Sequence, residues 1–135
     1  MLMKSEIKTV VIARPGHYRT SLVALLATVP QVNYVRTYDE LNQVTDVPKE
    51  FYPDLVLMET YHLNQHLADS MTKIALRWPG ARRILLADRV DQPKRASMYG
   101  ADFVLTKEIS AGEFLRLIQQ LIAHLPSNTN SRQYS

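Results

Sequence analysis

Along the chain, short continuous apolar runs alternate with stretches in which apolar residues return every three or four positions. The run Thr9 to Ala13 (TVVIA) is β-branched and stops at Arg14-Pro15-Gly16, which predicts a buried strand ending in a turn. From His17 to Thr28, Leu22, Leu25, Leu26 and Val29 take the spacing of one buried helix stripe, and Pro30 lies just past the end. Val32 to Arg36 predicts a second strand, followed by a short, weakly patterned helix around Asp39 to Val44 and a loop through Pro48 and Pro53. Asp54 to Glu59 (DLVLME) is almost continuously apolar inside, as a central parallel strand covered on both faces would be. Leu63 to Trp78 carries Leu67, Met71, Ile74 and Trp78 at helical spacing and is stopped by Pro79-Gly80. Arg83 to Ala87 predicts a fourth strand, and Gln92 to Tyr99 a short helix closed by Gly100, a residue suited to a left-handed C-cap. Phe103 to Leu105 predicts a fifth strand. Ser110 caps a final helix whose core stripe is Phe114, Ile118, Leu121, Ile122 and Leu125, and Glu113 nearly completes a capping box.

Five strands alternating with five helices require crossover connections, so the predicted fold class is α/β: a doubly wound five-stranded parallel sheet with helices on both faces, flavodoxin-like, joined by right-handed crossovers. A chain of 135 residues is long enough for one domain with a real core. The expected organisation is a domain over 1–125 and a polar tail or linker stump over 126–135, since SNTNSRQYS has no pattern.

Composition narrows the chemistry. There is no cysteine, which excludes disulfides, thiolate metal sites and cysteine nucleophiles. The apolar runs are far shorter than the roughly 20 residues of a membrane helix, and the first eight residues lack a signal peptide's apolar core. The expectation is a cytoplasmic protein without membrane association. A formal charge of +3, with Arg82-Arg83 and Lys94-Arg95 apart from one another, gives no concentrated patch for direct nucleic-acid binding. His62 and His66 are four residues apart, yet without an accompanying Glu they read as surface histidines rather than a metal pair. Tyr34, Tyr38, Tyr52, Tyr61 and Tyr99 are scattered and read as rim and packing residues.

In a doubly wound sheet, function gathers at the carboxyl ends of the strands. Those ends are Ala13-Arg14, Glu59-Thr60, Ala87-Asp88 and Thr106-Lys107. With only four glycines, at Gly16, Gly80, Gly100 and Gly112, neither common phosphate-binding loop is present.

Pro53-Asp-Leu-Val-Leu-Met-Glu59 and Gly100-Ala-Asp-Phe-Val-Leu-Thr-Lys107, together with Arg19 and Leu22 at the first helix and the order of elements, resemble the receiver domain of two-component response regulators, of the NarL/FixJ type. The resemblance spans about Ile7 to Leu125. It implies a non-enzymatic signalling module in which an acidic pair and an aspartate hold Mg²⁺, while a hydroxyl and a lysine contact the phosphoryl group. Against that pattern, Ala13 and Arg14 stand at the acidic pair, Glu59 at the phosphoacceptor, Ala87 or Leu86 at the hydroxyl, and Val104 at the aromatic switch position; Lys107 alone matches.

Mg²⁺ needs hard oxygen ligands, so this set predicts no metal and no cofactor. Without metal and hydroxyl, most of the charge stabilisation for phosphoryl transfer is gone. The expectation is a degenerate pseudo-receiver that signals by protein–protein contact independently of phosphorylation. Glu59 could imitate a phosphorylated aspartate; a plain salt bridge is the preferred reading, because Ala87 and Val104 have lost the means of relaying such a signal. Arg14 and Lys107 could hold an anion or neutralise Glu59, and neutralisation is preferred. The expected partner face is the fourth helix, fifth strand and fifth helix, with Lys94, Arg95, Arg116, Gln119 and Gln120 outward, serving a protein partner or a homodimer. Two alternatives stand beside this: the regulatory part of a transcription regulator whose DNA-binding domain is absent here, and a flavodoxin-like domain binding a small anionic ligand between Arg14, Glu59 and Lys107.

Overall fold

The computed structural model describes residues 6–61, 66–88 and 99–125. Five strands, β1 (Ile7–Ile12), β2 (Val32–Tyr38), β3 (Leu55–Thr60), β4 (Arg82–Ala87) and β5 (Phe103–Thr106), form one sheet in the order β2-β1-β3-β4-β5. Every neighbouring pair is parallel. Three helices accompany them among the described residues: α1 (His17–Ala27), α2 (His66–Arg77) and α3 (Ala111–Ala123). The chain is thus a doubly wound α/β domain with β3 at its centre, as the unbroken apolar run from Leu55 predicts.

Alternation along the strands divides the core in two. Val11, Leu57, Ile84 and Leu86 point to one face, where Leu22 and Leu26 of α1 and Phe114, Ile118, Leu121 and Ile122 of α3 cover them. Val10, Val56, Met58 and Leu85 point to the other, beneath Leu67, Met71 and Ile74 of α2 and the adjacent Trp78. The predicted stripes of α1, α2 and α3 are therefore the buried ones. Two aspartates at the opposite edge of the sheet set the register of the central strands: Asp54 accepts from the Lys8 amide at 3.0 Å, and Asp102 from the Arg83 amide at 2.8 Å.

The predicted helix around Asp39 to Val44 is instead a 3-10 helix at Leu41–Asp46. No stripe recurs at four-residue spacing there, so packing cannot sustain an α-helix. The Gln43 side chain closes its start, accepting from the Asp39 amide at 2.7 Å and the Glu40 amide at 3.4 Å. The loop beyond it is tied to α2: Arg77 Nη2 donates to the Val47 carbonyl at 2.6 Å, and the Trp78 indole donates to the Phe51 carbonyl at 3.1 Å.

β2, β4 and β5 run one or two residues beyond the sequence bounds, β1 and β3 are offset from theirs by one or two residues, and α2 is described over His66–Arg77, the expected start at Leu63 lying outside the described residues. Ser110 caps α3, its hydroxyl accepting from the Glu113 amide at 3.1 Å. Gly100 has φ +76°, the left-handed conformation expected of it. The predicted helix Gln92 to Tyr99 that it would close, the tail 126–135, and His62, Lys94 and Arg95 lie outside the described residues, apart from Tyr99, which is buried. Among the described residues no helix is long and apolar enough to cross a membrane.

Candidate functional site

The strand order reverses between β1 and β3, and beside their carboxyl ends lies a cleft of about 190 Å³ bordered by Ala13, Arg14, Asp39, Glu40, Glu59 and Tyr61. Parity explains which side chains gather at the carboxyl ends of the strands. Counting outward from the α1/α3 face, where Val11, Leu57, Leu86 and Leu105 lie, the next residues on that side are Ala13, Glu59, Asp88 and Lys107. Four strand ends thus deliver a methyl group, two carboxylates and an ammonium to one place.

Lys107 is the hub. Its amide donates to the Ala87 carbonyl at 2.9 Å, carrying β5 pairing one step past the strand. Its Nζ lies 2.9 Å from Glu59 Oε2 and 2.6 Å from Asp88 Oδ1. The Lys107 and Glu59 side chains are only 13% and 10% exposed, so this pair is largely withdrawn from water, whereas Asp88 is 45% exposed. Two rings close over the ammonium: Tyr61 with its centroid 4.5 Å from Nζ, and Tyr18 of α1 at 5.4 Å, distances at which the ring faces attract a cation. Burial by itself would lower the Lys107 pKa, but hydrogen bonds to Asp88 and Glu59 and their charges outweigh it and hold it above the ordinary lysine value. The Tyr18 phenol is pushed up to about 12 by burial first and then by the Glu59 and Asp88 charges.

Arg14 does not behave as expected of an ion-pair partner. Its backbone amide donates to Glu59 Oε1 at 3.1 Å, while its guanidinium stacks on Tyr61, 5.0 Å from the ring centre. Glu59 is therefore neutralised by Lys107 and merely hydrogen-bonded by the Arg14 backbone. Arg19, placed by α1, spans the cleft's far side, donating to the Ala13 carbonyl at 3.1 Å and pairing with Asp39 at 2.6 Å.

The sheet register distinguishes the two candidates for the hydroxyl position. Leu86 pairs with Glu59 and shares its face, whereas Ala87 pairs with Thr60 and faces the other way. Both are wholly buried. Val104 packs among the α2-side residues. Arg116, Gln119 and Gln120 are exposed on α3. Three residues join the cluster that the sequence does not single out as part of it: Asp88, which it offers only as a strand end, Tyr61, which it offers only as a rim residue, and Tyr18. Asp88 had a usable signal, since it directly follows a strand end and shares the parity of Lys107; the orientation of the two tyrosines depends on helix and loop placement that no periodicity encodes. Among the described residues no group of three or more His, Cys, Asp or Glu side chains is placed to hold a metal ion.

No protein-family model matches this sequence, and no curated protein matches it either. Solved structures do. The signal receiver domain of an HD domain-containing protein from Pseudomonas fluorescens Pf-5 superposes with TM-score 0.73 at 19% identity, covering 93% of each chain. The receiver domain of a sensor histidine kinase from Pseudomonas aeruginosa PAO1, which has a magnesium ion coordinated in its active-site cleft, gives 0.68 at 18% identity over 87% of this chain and 98% of that one. The pilus assembly protein CpaE from Caulobacter crescentus CB15 gives 0.66 at 20% identity over 90% and 96%. With its five-stranded parallel sheet in this order and these neighbours, the chain has the CheY-like receiver fold of response regulators.

Proposed function

We propose that this chain is a receiver-type signalling module that works in the cytoplasm by binding another protein, without a phosphorylation cycle or catalysis of its own. The observation that supports this reading is the state of Lys107: the residue that would clasp a phosphoryl group is already engaged by Glu59 and Asp88. Ala13 and Arg14 offer no carboxylate where a receiver needs its acidic pair, and Leu86 next to Glu59 offers no hydroxyl. Glu59 serves as a counter-ion in this reading.

The same charge balance favours it over a small-anion site. An anion entering beside Lys107 would meet two carboxylates already in contact with its ammonium, and the Arg14 guanidinium points to Tyr61. The proposed partner surface is the α3 side, where Arg116, Gln119 and Gln120 are exposed. Because both receiver domains and a pilus assembly protein share this fold, the partner can belong to an assembly as readily as to a transcription regulator.

Intact-mass measurement after incubation with acetyl phosphate and Mg²⁺ tests the reading. No mass change is expected. A stoichiometric phosphate adduct would overturn it.

A further inference from the structure

β2 ends the sheet, and among the described residues no strand lies beyond it. Proteins usually blunt such an edge with a short strand, lysines or proline. Here the edge strand is the longest of the five, seven residues against six or four in the others. Val32, Tyr34, Val35, Thr37 and Tyr38 are residues that favour strands, and the one charge, on Arg36, does not bar the edge. Its guanidinium lies over the rings of Tyr34 and Phe51, 5.6 and 5.0 Å from their centres, while Tyr34 remains 39% exposed. The register shift of β2 is confined to its start, so Tyr34 to Tyr38 pair evenly with Lys8 to Ile12. The Ala13 amide donates to the Tyr38 carbonyl at 2.9 Å. By alternation the backbone groups of Tyr34, Arg36 and Tyr38 turn toward β1, and those of Val35 and Thr37 turn outward.

We propose that β2 is a self-pairing edge: two copies of the chain join their β2 strands antiparallel about a two-fold axis at Val35, continuing the sheet from one copy into the other. Any strand can add to an open edge, but this one is complementary to itself in both backbone phase and side chains. With the axis at Val35, the outward amide and carbonyl of Val35 exchange hydrogen bonds with the same groups of the second copy. Tyr34 and the partner's Arg36 then take the closer, non-hydrogen-bonded positions, with Cα atoms about 4.5 Å apart. A guanidinium meets a tyrosine ring there, and the symmetry repeats that contact. Moving the axis to Arg36 would set two guanidinium groups against each other, and moving it to Tyr34 would centre the ladder on the irregular start of the strand. An axis at Thr37 would leave only Arg36, Thr37 and Tyr38 overlapped within the strand. The pairing goes beyond the functional reading above and makes no use of α3.

Sedimentation of the full chain over a concentration series reaching the millimolar range, with amide hydrogen exchange at each end of the series, provides the test. Wild type is expected to dimerise, and the Val35 and Thr37 amides to exchange more slowly as concentration rises, while those of Arg36 and Tyr38, which face β1, change little. Tyr34→Arg sets arginine against arginine twice in the dimer and is expected to weaken it by at least about tenfold. Tyr34→Arg combined with Arg36→Tyr restores a ring opposite each guanidinium and is expected to recover the dimer. Thr37→Pro removes an outward amide and no bond to β1, and is expected to weaken association as well. A wild type that stays monomeric throughout overturns the proposal, as does a dimer that Arg116→Glu abolishes and the β2 variants leave intact; both results leave the functional reading standing. Should the β2 variants not fold, wild type decides alone: Val35 and Thr37 exchange rates that do not depend on concentration overturn the proposal.

Discussion

Lys107 and Tyr18 carry their protons to unusually high pH in the folded chain, and the direction of that effect on stability follows from linkage. The Lys107 pKa stands above 10.5 because Asp88 and Glu59 outweigh the burial penalty, and Tyr18 rises from 10.0 to about 12 through burial and the same two charges. In both cases the native state keeps a proton that the unfolded chain has released, so the unfolded state binds fewer protons and stability falls as pH rises. The contribution is complete below about pH 10 and is lost as pH climbs through the folded values. Denaturant melts at intervals from neutrality to about pH 11.5 are expected to show a steep alkaline decline in wild type, and a shallower one in Tyr18→Phe and in Lys107→Met. Identical slopes in all three proteins would remove these groups as its source. Of this cluster, Glu59 and Lys107 were legible in the sequence because each ends an apolar strand. From the sequence Tyr61 reads as a rim residue, since an aromatic outside a repeating pattern carries no direction.

Between elements, legibility tracks how much of the burial is encoded by repetition. Leu55 to Met58 is buried on every residue, so its run of apolar side chains is itself the signal of a doubly covered strand. The α2 stripe of Leu67, Met71, Ile74 and Trp78 returned intact for the same reason. The Leu41–Asp46 segment has Val44 as its buried anchor and is otherwise closed by Gln43, a local hydrogen bond that periodicity does not reveal. Gly100 joins local and tertiary constraints: its φ is +76°, and a Cβ there would stand 3.0 Å from Met71 Cβ on α2. Gly112, in the first turn of α3, has nothing within 4 Å of the same position. Gly100→Ala is therefore expected to cost about 1–3 kcal/mol, through left-handed backbone strain and displacement of Met71. Gly112→Ala should stabilise by roughly 0.5 kcal/mol, through the lower entropy of the unfolded chain and better helix propensity. Chemical denaturation of both variants checks the pair, and equal effects would mean that the Met71 contact does not constrain Gly100.

For the molecule as a whole, the sheet order separates two places that could serve a partner. The carboxyl ends of the strands hold a compensated set of charges, Lys107 with Glu59 and Asp88, and Arg19 with Asp39, of which Glu59 and Asp39 also border the cleft beside β1 and β3. The outer side of α3 presents Arg116, Gln119 and Gln120 to water, while Phe114, Ile118, Leu121 and Ile122 are buried and Leu115 and Leu117 partly so. Surface substitutions of this kind usually alter stability by only about ±0.5 kcal/mol, so a large effect on association would report contact and not unfolding. If the α3 side mediates self-association, Arg116→Glu is expected to weaken it by about tenfold, equivalent to 1.4 kcal/mol. Asp69→Lys, a charge change of the same size and opposite sign on α2 across the sheet, should leave it as it is. Lys107→Ala, measured well below its melting temperature, should also leave it as it is, because the ammonium is engaged by Glu59 and Asp88 at the strand ends. Light scattering over a concentration series distinguishes the three. Loss of association in Lys107→Ala with none in Arg116→Glu would move the working surface from α3 to the strand-end cleft.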